Sequence, residues 1–188
     1  SDVCSSDLKT AAAAATVAAL PINANAQSGE PIKIGILTPL TGAGGNDGPR
    51  MLKAMTAVFD EVNKGGGVLG RKIETVVEDD QTNPEAAVRA ARKLIEVNKV
   101  PMILGTWASA VTAAVAPVCW ESKTFLMTVS GADSITLLPH QGFLVRTQPT
   151  SKLQATAHGE FILSQGAKRV GIDRKSTRLN SSHIPLSR

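Results

Sequence analysis

Short apolar runs alternate with helix-periodic segments from Ile32 onward, and this alternation constrains the fold more than any other feature of the sequence. The first run, IKIGILTPL, is apolar and closed by turn residues, as expected for a buried strand. The later runs of this kind are residues 71–78, 101–106, 124–129 and 142–149 and the segment KRVGI. Alternating strands and helices predict an α/β fold with a parallel, doubly wound (Rossmann-like) sheet that is covered by helices on both faces.

The segments between these runs carry apolar residues at helical spacing. After the loop TGAGGNDGP, one helical face is formed by Met51, Met55, Val58 and Val62. The next helix has Asn83 as its predicted N-cap and Pro84 at its first helical position. We predict two further helices over residues 109–122 and 151–165.

The two ends of the chain encode one DNA sequence on opposite strands. Residues 1–8, SDVCSSDL, can be encoded by TCAGACGTGTGCTCTTCCGATCT followed by any base. The reverse complement of these bases, read from its second base, encodes DRKSTRL, which is the sequence of residues 173–179. Both ends resemble a translated short-read library adapter, and residues 180–188 fit its continuation. We therefore predict that residues 1–8 and 173–188 are non-native and adapter-derived.

A truncated secretory signal peptide is predicted over residues 9–26. Lys9 precedes the small-residue apolar run TAAAAATVAAL, and ANA at residues 24–26 has the A-x-A pattern of a cleavage site before Gln27. The apolar run is too short to span a bilayer. Residues 9–172 are then native, and residues 27–172 form the mature segment. Because this segment ends inside a predicted strand, we expect it to be a fragment of a longer protein.

Charge and cysteine content disfavour several classes of function. The chain carries 20 basic and 16 acidic residues. Four of the basic and three of the acidic residues lie in the adapter-derived segments, which leaves a net charge of +3. This charge does not favour nucleic acid or an anionic membrane as a partner. Cys4 lies in an adapter-derived segment, so Cys119 alone cannot form a disulfide or a metal site, and no cofactor is predicted.

Ligands of open parallel α/β sheets bind beyond the carboxyl ends of the strands. Several loops at that edge contain residues that could bind a ligand or take part in a reaction. TGAGGNDG departs from the dinucleotide motif because Asp47 replaces its third glycine, which favours a tight turn over nucleotide binding. The acidic cluster Glu78, Asp79 and Asp80 has no histidine at ligand spacing and is interpreted as a solvated strand end. Ser109 lacks the G-x-S-x-G surroundings of a hydrolase nucleophile.

The loops GTWASA and VSGADS contain the candidate ligand-binding residues. These residues are Trp107, Ala108, Ser109, Ala110, Gly131, Ala132 and Asp133. Ser109 stands at the predicted start of a helix, where its hydroxyl and the free backbone N–H groups favour a carboxylate; the alternative is a plain N-cap serine. Asp133 either attracts an ammonium group or caps a helix. Trp107 either lines the pocket or belongs to the core. Together the two loops could bind both charges of an amino acid.

Several motifs occur in a fixed order along the chain. They are IKIGILTPLTG, GGVLGRKIETVVEDDQTNPEAAVRAARKLI, VPMILGTWAS with the helical AVAPV, and LVRTQP. In this order they resemble the branched-chain amino acid (Leu/Ile/Val-type) substrate-binding proteins of ABC transporters, which are type I periplasmic binding proteins. The resemblance covers nearly all of residues 32–172.

The resemblance implies a two-lobed periplasmic protein without catalytic activity. Such a protein closes on a small polar solute, here an amino acid of the branched-chain type or a related amide, and delivers it to the membrane subunits of an ABC permease. Residues 27–172 would be its incomplete N-terminal ligand-binding lobe. Ser109 matches the serine that binds the ligand carboxylate, while Gly131 and Ala132 match backbone contacts. Asp133 replaces a threonine, and this departure leaves the identity of the solute open.

Two other functions are compatible with the same pattern. One is a ligand-sensing receptor domain of the same fold, which a transmembrane segment downstream in the complete gene would reveal. The other is a nucleotide-dependent enzyme on a Rossmann-like sheet, which a turnover product would reveal.

The adapter interpretation predicts the result of sequencing genomic DNA through codons 8 and 173. We expect the reading frame to continue beyond Gly171 without DRKSTRLNSSH, and to begin upstream of Lys9 without SDVCSSDL. Genomic DNA that itself encodes both end sequences would contradict this interpretation.

Overall fold

The computed structural model of the protein describes residues 29–171. The predicted adapter-derived segments and the predicted signal peptide lie outside these residues. In chain order, the elements are β1 (Ile32–Thr38), α1 (Gly48–Lys64), β2 (Ile73–Asp79), α2 (Pro84–Arg92), β3 (Met102–Gly105), α3 (Ser109–Glu121), β4 (Phe125–Thr128), β5 (Leu144–Arg146) and α4 (Ser151–Ser164). Short 3₁₀ turns occupy Gly42–Gly44 and Asp133–Leu137, and α2 continues into a π-helical turn over Lys93–Val97.

The five strands form one sheet in the order β2-β1-β3-β4-β5, and every pair in it is parallel. Strand β1 lies between β2 and β3, with Ile32 opposite Ile73 of β2 and Gly35 opposite Ile103 of β3. Parallel neighbouring strands need a crossover connection, and the helices between the strands in the chain provide it. The predicted parallel, doubly wound α/β fold is therefore confirmed.

Helices α2 and α3 cover one face of the sheet and form the main core with it. Leu37, Ile103 and Leu126 are fully buried in this cluster, together with Ala87 of α2 and Val115 of α3. Each large aliphatic side chain buried in this way contributes roughly 1.5–3 kcal/mol to folding. The N-terminus of α2 follows the prediction, because Asn83 Oδ1 accepts a hydrogen bond from the N–H of Ala86 at 2.9 Å.

Helix α1 lies against β1 and β2, over the face on which the alternate residue Ile36 is buried. The predicted apolar face of α1 is partly wrong, since Val58 is 61% exposed. The helix is rotated so that Asn63 meets β2, where its amide nitrogen donates to Ile73 O at 2.8 Å and its oxygen accepts from Ile73 N at 2.7 Å. These two hydrogen bonds between the Asn63 side chain and the β2 backbone hold α1 in an orientation that leaves Val58 toward solvent.

Helix α4 has no buried residue, and the strand predicted in KRVGI is absent from the described residues. Phe161 and Leu163 of α4 are 64% and 73% exposed. Strand β5 is the edge of the sheet and pairs with β4, while residues 168–171 are exposed and pair with no strand within the described range. The apolar pattern of KRVGI therefore has no pairing partner here. Within residues 29–171, no helix combines the length and apolar character needed to cross a membrane.

We expect residues 27–172, expressed alone, to be marginally stable or prone to aggregation. Met127 on the α1 face of the sheet is only partly buried, and the apolar residues of α4 face solvent, so much apolar surface stays in contact with water. Thermal unfolding followed by circular dichroism measures the stability, and binding of a dye measures the exposed apolar surface. The complete protein serves as the control. A cooperative unfolding transition at high temperature for residues 27–172 alone would contradict the expectation.

Candidate functional site

The candidate site lies at the carboxyl edge of the sheet, between the loop that joins β3 to α3 and the loop that follows β4. The parallel register places Gly105 of β3 beside Thr128 of β4, so the two loops leave the sheet side by side. Both loops begin with buried polar residues, Thr106 and Ser130. The structure thus brings together the two groups of residues that the sequence predicted to form one site.

Ser109 is the first residue of α3, and Ala108 before it is the N-cap. The first N–H groups of any α-helix lack an intrahelical acceptor, and at α3 the N-cap residue supplies no side-chain acceptor for them. Ser109 Oγ instead accepts a hydrogen bond from the N–H of Ala132, on the neighbouring loop, at 3.2 Å. The alternative of a plain N-cap serine is therefore wrong, because the Ser109 hydroxyl contacts the other loop rather than its own helix.

Three neighbours of Ser109 were predicted to share its site. Trp107 is half-buried, and its ring approaches Gly44 so closely that a Cβ on Gly44 would lie 3.0 Å from Trp107 Cζ3. The ring therefore lies between the β3–α3 loop and the β1–α1 loop. Ala108 is half-buried against the core, whereas Ala110 is exposed. The structure thus places part of Trp107 against Gly44 and leaves part of it exposed, and its role in lining a ligand pocket stays a prediction.

The second loop is held by hydrogen bonds to its backbone carbonyl groups. Arg146, at the end of β5, donates from Nη1 to Ala132 O at 2.7 Å. Gly131 O accepts from both the N–H and the Oγ of Ser151, each at 2.8 Å. A Cβ at Gly131 would lie 2.9 Å from Ser151 Oγ and from Gln148 Nε2, so a larger residue there would displace these two side chains. Both carbonyl groups are thus occupied by residues of the protein.

Asp133 is exposed at the start of the 3₁₀ turn that follows this loop. Its Oδ1 accepts a hydrogen bond from the N–H of Lys152, in the first turn of α4, at 3.2 Å. Of the two predicted roles, the structure shows a capping contact, made to α4 rather than to the helical turn that contains Asp133. A carboxylate can accept further hydrogen bonds, so this contact leaves acceptor capacity at Asp133.

A third loop borders the site and is fixed by Asp79, at the end of β2. Asp79 Oδ1 accepts from the N–H groups of Leu40 at 2.8 Å, Thr41 at 3.2 Å and Gln81 at 2.8 Å, and Oδ2 accepts from Thr41 Oγ1 at 2.5 Å. Thr82 Oγ1 accepts from the N–H of Gly44 at 2.8 Å. The glycine-rich loop is thus a tight turn anchored on the β2–α2 loop, as predicted.

Burial acts to raise the pKa of Asp79, but its hydrogen bonds outweigh that effect. The bonds from Thr41 Oγ1 and from the N–H groups of Gln81, Thr41 and Leu40 stabilise the carboxylate, and together they hold the pKa of Asp79 below its ordinary value. Asp79 therefore stays ionised while it anchors the loop.

The other two members of the acidic cluster have separate surroundings. Glu78 pairs with Lys93 of the π-helical turn at 2.6 Å. Asp80 is fully buried, and burial raises its pKa, while its Oδ1 accepts from the N–H of Thr82 at 2.7 Å. The prediction of a solvated strand end is therefore wrong for Asp80. No grouping of acidic, histidine or cysteine side chains suited to a metal occurs in residues 29–171.

Cys119 is buried in α3 and forms no disulfide. Burial raises its pKa to about 12. A thiol with this pKa is protonated at neutral pH and is a poor nucleophile.

Several residues that shape the site were not predicted from the sequence. Arg146 and Ser151 fix the backbone of residues 131–132, and a buried group of hydroxyl side chains lies beneath both loops: Thr106, Thr112, Thr128 and Ser130. The only sequence signal was that Arg146 lies in LVRTQP, one of the motifs that carry the family resemblance. Hydroxyl residues in strands and helices carry no periodic pattern that separates them from ordinary packing.

Comparison with known proteins gives one family. Residues 31–174 match the family described as periplasmic binding protein. The Leu/Ile/Val-binding protein BraC3 of Rhizobium johnstonii is 32% identical over 142 residues, which are 75% of this chain and 38% of that protein. The chain therefore spans little more than a third of the length of this relative.

Solved structures of similar proteins share the fold. The branched-chain amino acid transporter substrate-binding protein LivJ of Streptococcus pneumoniae, in complex with isoleucine, matches 64% of this chain and 34% of its own, with a TM-score of 0.61 and 26% identity. A solute-binding protein of an ABC transporter from Rhodopseudomonas palustris, in complex with 3,4-dihydroxybenzoic acid, matches 73% of this chain and 37% of its own, with a TM-score of 0.64 and 28% identity.

Replacing Asp79 with alanine is expected to lower the free energy of unfolding of the complete protein by about 1–3 kcal/mol at neutral pH, because charge-assisted hydrogen bonds to three backbone N–H groups are lost. Urea unfolding of the wild type and the variant measures this difference. Glu78→Gln is the matched control, since its partly exposed ion pair contributes less than about 1 kcal/mol.

The effect of Asp79→Ala should also depend on pH. The folded-state pKa of Asp79 lies below the ordinary 3.8, so its contribution is fully present above 3.8 and is lost as the pH falls through the folded-state value. A stability difference that is unchanged at strongly acid pH, or that equals the difference for Glu78→Gln, would rule out Asp79 as the anchor of the loop.

Proposed function

Since this chain belongs to the periplasmic binding protein family, we propose that the complete protein is the solute-binding component of an ABC importer. The family and the relatives above are solute-binding proteins rather than enzymes, and the family implies a periplasmic or extracellular location. The proposed solute is a small carboxylate, in the first place an amino acid of the branched-chain type. The solute binds between this lobe and a second one, and the closed protein delivers it to the membrane permease. The predicted signal peptide supports export to the periplasm.

The surroundings of Ser109 are the observation that supports a carboxylate ligand. Ser109 Oγ accepts from Ala132 N–H, so its own proton is free to donate to a ligand. The same residue begins an uncapped helix, whose first N–H groups and positive dipole end favour an anion. A carboxylate oxygen at this point would receive hydrogen bonds from the side chain and from the backbone together.

The ammonium group of an amino acid needs an acceptor near this point. Gly131 O already accepts two hydrogen bonds from Ser151, and Ala132 O accepts one from Arg146, so these carbonyl groups have little acceptor capacity left. Asp133 is exposed and retains acceptor capacity beyond its bond to Lys152 N–H. We therefore assign the ammonium group to Asp133, assisted by residues of the second lobe.

An aromatic carboxylate is the second candidate. The occupied carbonyl groups of residues 131 and 132, and the contact of Asp133 with α4, reduce the acceptors available to an ammonium group. Trp107 lies two residues before Ser109 and is only half-buried, so it offers an aromatic surface on which a ring could stack. The similar protein from Rhodopseudomonas palustris is in complex with 3,4-dihydroxybenzoic acid, which lacks an ammonium group.

Calorimetric titration of the complete protein tests the proposal. L-leucine is compared with 4-methylpentanoate, which lacks the ammonium group, with 3-methylbutylamine, which lacks the carboxylate, and with 3,4-dihydroxybenzoate. We expect L-leucine to bind and the amine to fail. Binding of 4-methylpentanoate and dihydroxybenzoate in preference to L-leucine would favour the aromatic candidate. Failure of every carboxylate, or binding of the amine alone, would contradict the proposal.

Variants locate the two charges of the ligand. Ser109→Ala should raise the Kd by roughly 10- to 100-fold through loss of a hydrogen bond to a charged group. Ser122→Ala, just beyond the other end of α3, is the matched control and should leave the Kd unchanged. Asp133→Asn should weaken L-leucine and leave dihydroxybenzoate unaffected. Equal Kd values for the wild type and Ser109→Ala would remove Ser109 from the site.

A further inference from the structure

Four hydroxyl side chains form a buried cluster directly beneath the candidate site. They are Thr106, Thr112, Thr128 and Ser130, and all four are fully buried. Thr106 Oγ1 donates to Thr128 Oγ1 at 2.9 Å, and the N–H of Ser130 donates to Thr128 Oγ1 at 3.1 Å. Thr112 Oγ1 and Ser130 Oγ are also hydrogen-bonded to each other. We call these four residues the hydroxyl cluster.

The carbonyl oxygen of Thr106 is the centre of the hydroxyl cluster. It lies within hydrogen-bond distance of three side-chain hydroxyls, at 3.2 Å from Thr112 Oγ1, 2.7 Å from Thr128 Oγ1 and 2.8 Å from Ser130 Oγ. These three residues come from α3, from β4 and from the loop after β4. One backbone carbonyl therefore joins the three elements that surround the site.

The backbone of Thr106 is also held in an unfavourable conformation. Its φ is +58°, in the left-handed region that β-branched residues rarely adopt. Such a conformation is energetically unfavourable and persists only when the surroundings fix it. Here the N–H of Thr106 donates to Leu37 O at 2.7 Å, and the hydroxyl cluster binds the carbonyl. The turn that results directs the chain from β3 into Trp107, Ala108 and the start of α3.

We propose that the hydroxyl cluster positions Ser109 against Ala132, so that its members are positioning residues for the carboxylate of the ligand. This inference rests on the function proposed above. Thr112 lies one turn after Ser109 on α3, and Ser130 lies two residues before Ala132, so the bond between Thr112 and Ser130 spans the same two loops as the Ser109–Ala132 bond. Fixing the distance between the loops in advance reduces the free energy that a ligand must spend on ordering them.

The cluster lies too deep to contact a ligand, so its effect on affinity is indirect. Thr112 and Thr128 have no exposed surface, and their hydroxyls are engaged by other members of the cluster. A mutation of a residue that contacts the ligand directly changes the ligand affinity alone, whereas a mutation of a positioning residue also changes the site without ligand. Loss of a positioning hydroxyl should change the ligand affinity. It should also make the Ser109–Ala132 hydrogen bond open more often in the protein without ligand.

The test uses Thr112→Val in the complete protein, because valine keeps the shape of threonine and removes the hydroxyl. We expect the Kd for L-leucine to rise about 5- to 10-fold, the effect of one lost hydrogen bond. We also expect amide hydrogen exchange at Ala132, measured without ligand, to become about tenfold faster through local opening. Thr112→Ser should restore both values toward the wild type.

Thr124→Val is the matched control, since Thr124 is buried just before β4, at the opposite end of the strand. It should lower the unfolding free energy without changing the Kd or the exchange of Ala132. Ser130→Ala removes the other partner of the Thr112 bond with a smaller change in volume. It serves as the second variant if Thr112→Val does not fold, and the same two changes are expected for it.

Two outcomes separate this inference from the proposed function. If the wild type binds neither L-leucine nor 3,4-dihydroxybenzoate, the proposed function fails, and Ala132 exchange alone decides the positioning role. If Thr112→Val loses stability while the Kd and Ala132 exchange stay at wild-type values, the hydroxyl cluster only stabilises the fold and the inference is overturned.

Discussion

Parallel pairing of β1, β3 and β4 is the constraint on which the rest of the structure depends. It places the carboxyl ends of these strands at one edge of the sheet, so that the loops after them are neighbours in space although they lie far apart in sequence. The buried side chains of Leu37, Ile103 and Leu126 fix the register of the three strands. Because a one-residue shift would turn these side chains to the other face, the packing of the core also sets the positions of the loops.

The loops at this edge are held by polar side chains rather than by apolar packing. Asp79 anchors the β1–α1 loop, Arg146 and Ser151 hold the backbone of residues 131–132, and the hydroxyl cluster joins the β3–α3 loop to β4. Directional hydrogen bonds hold backbone groups in positions that apolar contacts alone do not specify. A rigid edge of this kind suits a protein that binds its ligand between two surfaces, since part of the ordering is complete before binding.

The fold was predictable because its signals are local and repeated. Apolar runs such as IKIGIL predict buried strands, and the N-cap Asn83 followed by Pro84 marks the start of α2. The strand predicted in KRVGI shows the limit of such signals, because residues 168–171 stay unpaired although β5 has a free edge, and a local apolar run does not encode its pairing. The exposure of Val58 has a related cause, since the orientation of α1 is set by the contact of Asn63 with β2.

The candidate site was predictable in part. Ser109 and Ala132 could be placed on adjacent loops from strand order alone, and the structure shows the bond between them. The capping contact of Asp133 could not be assigned, because it depends on where α4 begins in space. The hydroxyl cluster is a tertiary feature of four residues that are individually unremarkable in sequence. Its members are recognised only when the sheet brings β3, β4 and α3 together.

A crystal structure of the complete protein with bound L-leucine tests the central claim most directly. The account predicts a ligand carboxylate oxygen about 2.7–3.2 Å from Ser109 Oγ and from the first N–H groups of α3, with the Ser109–Ala132 bond retained. A ligand whose carboxylate lies away from the start of α3, or an apolar part of the ligand against Ser109, would contradict the account.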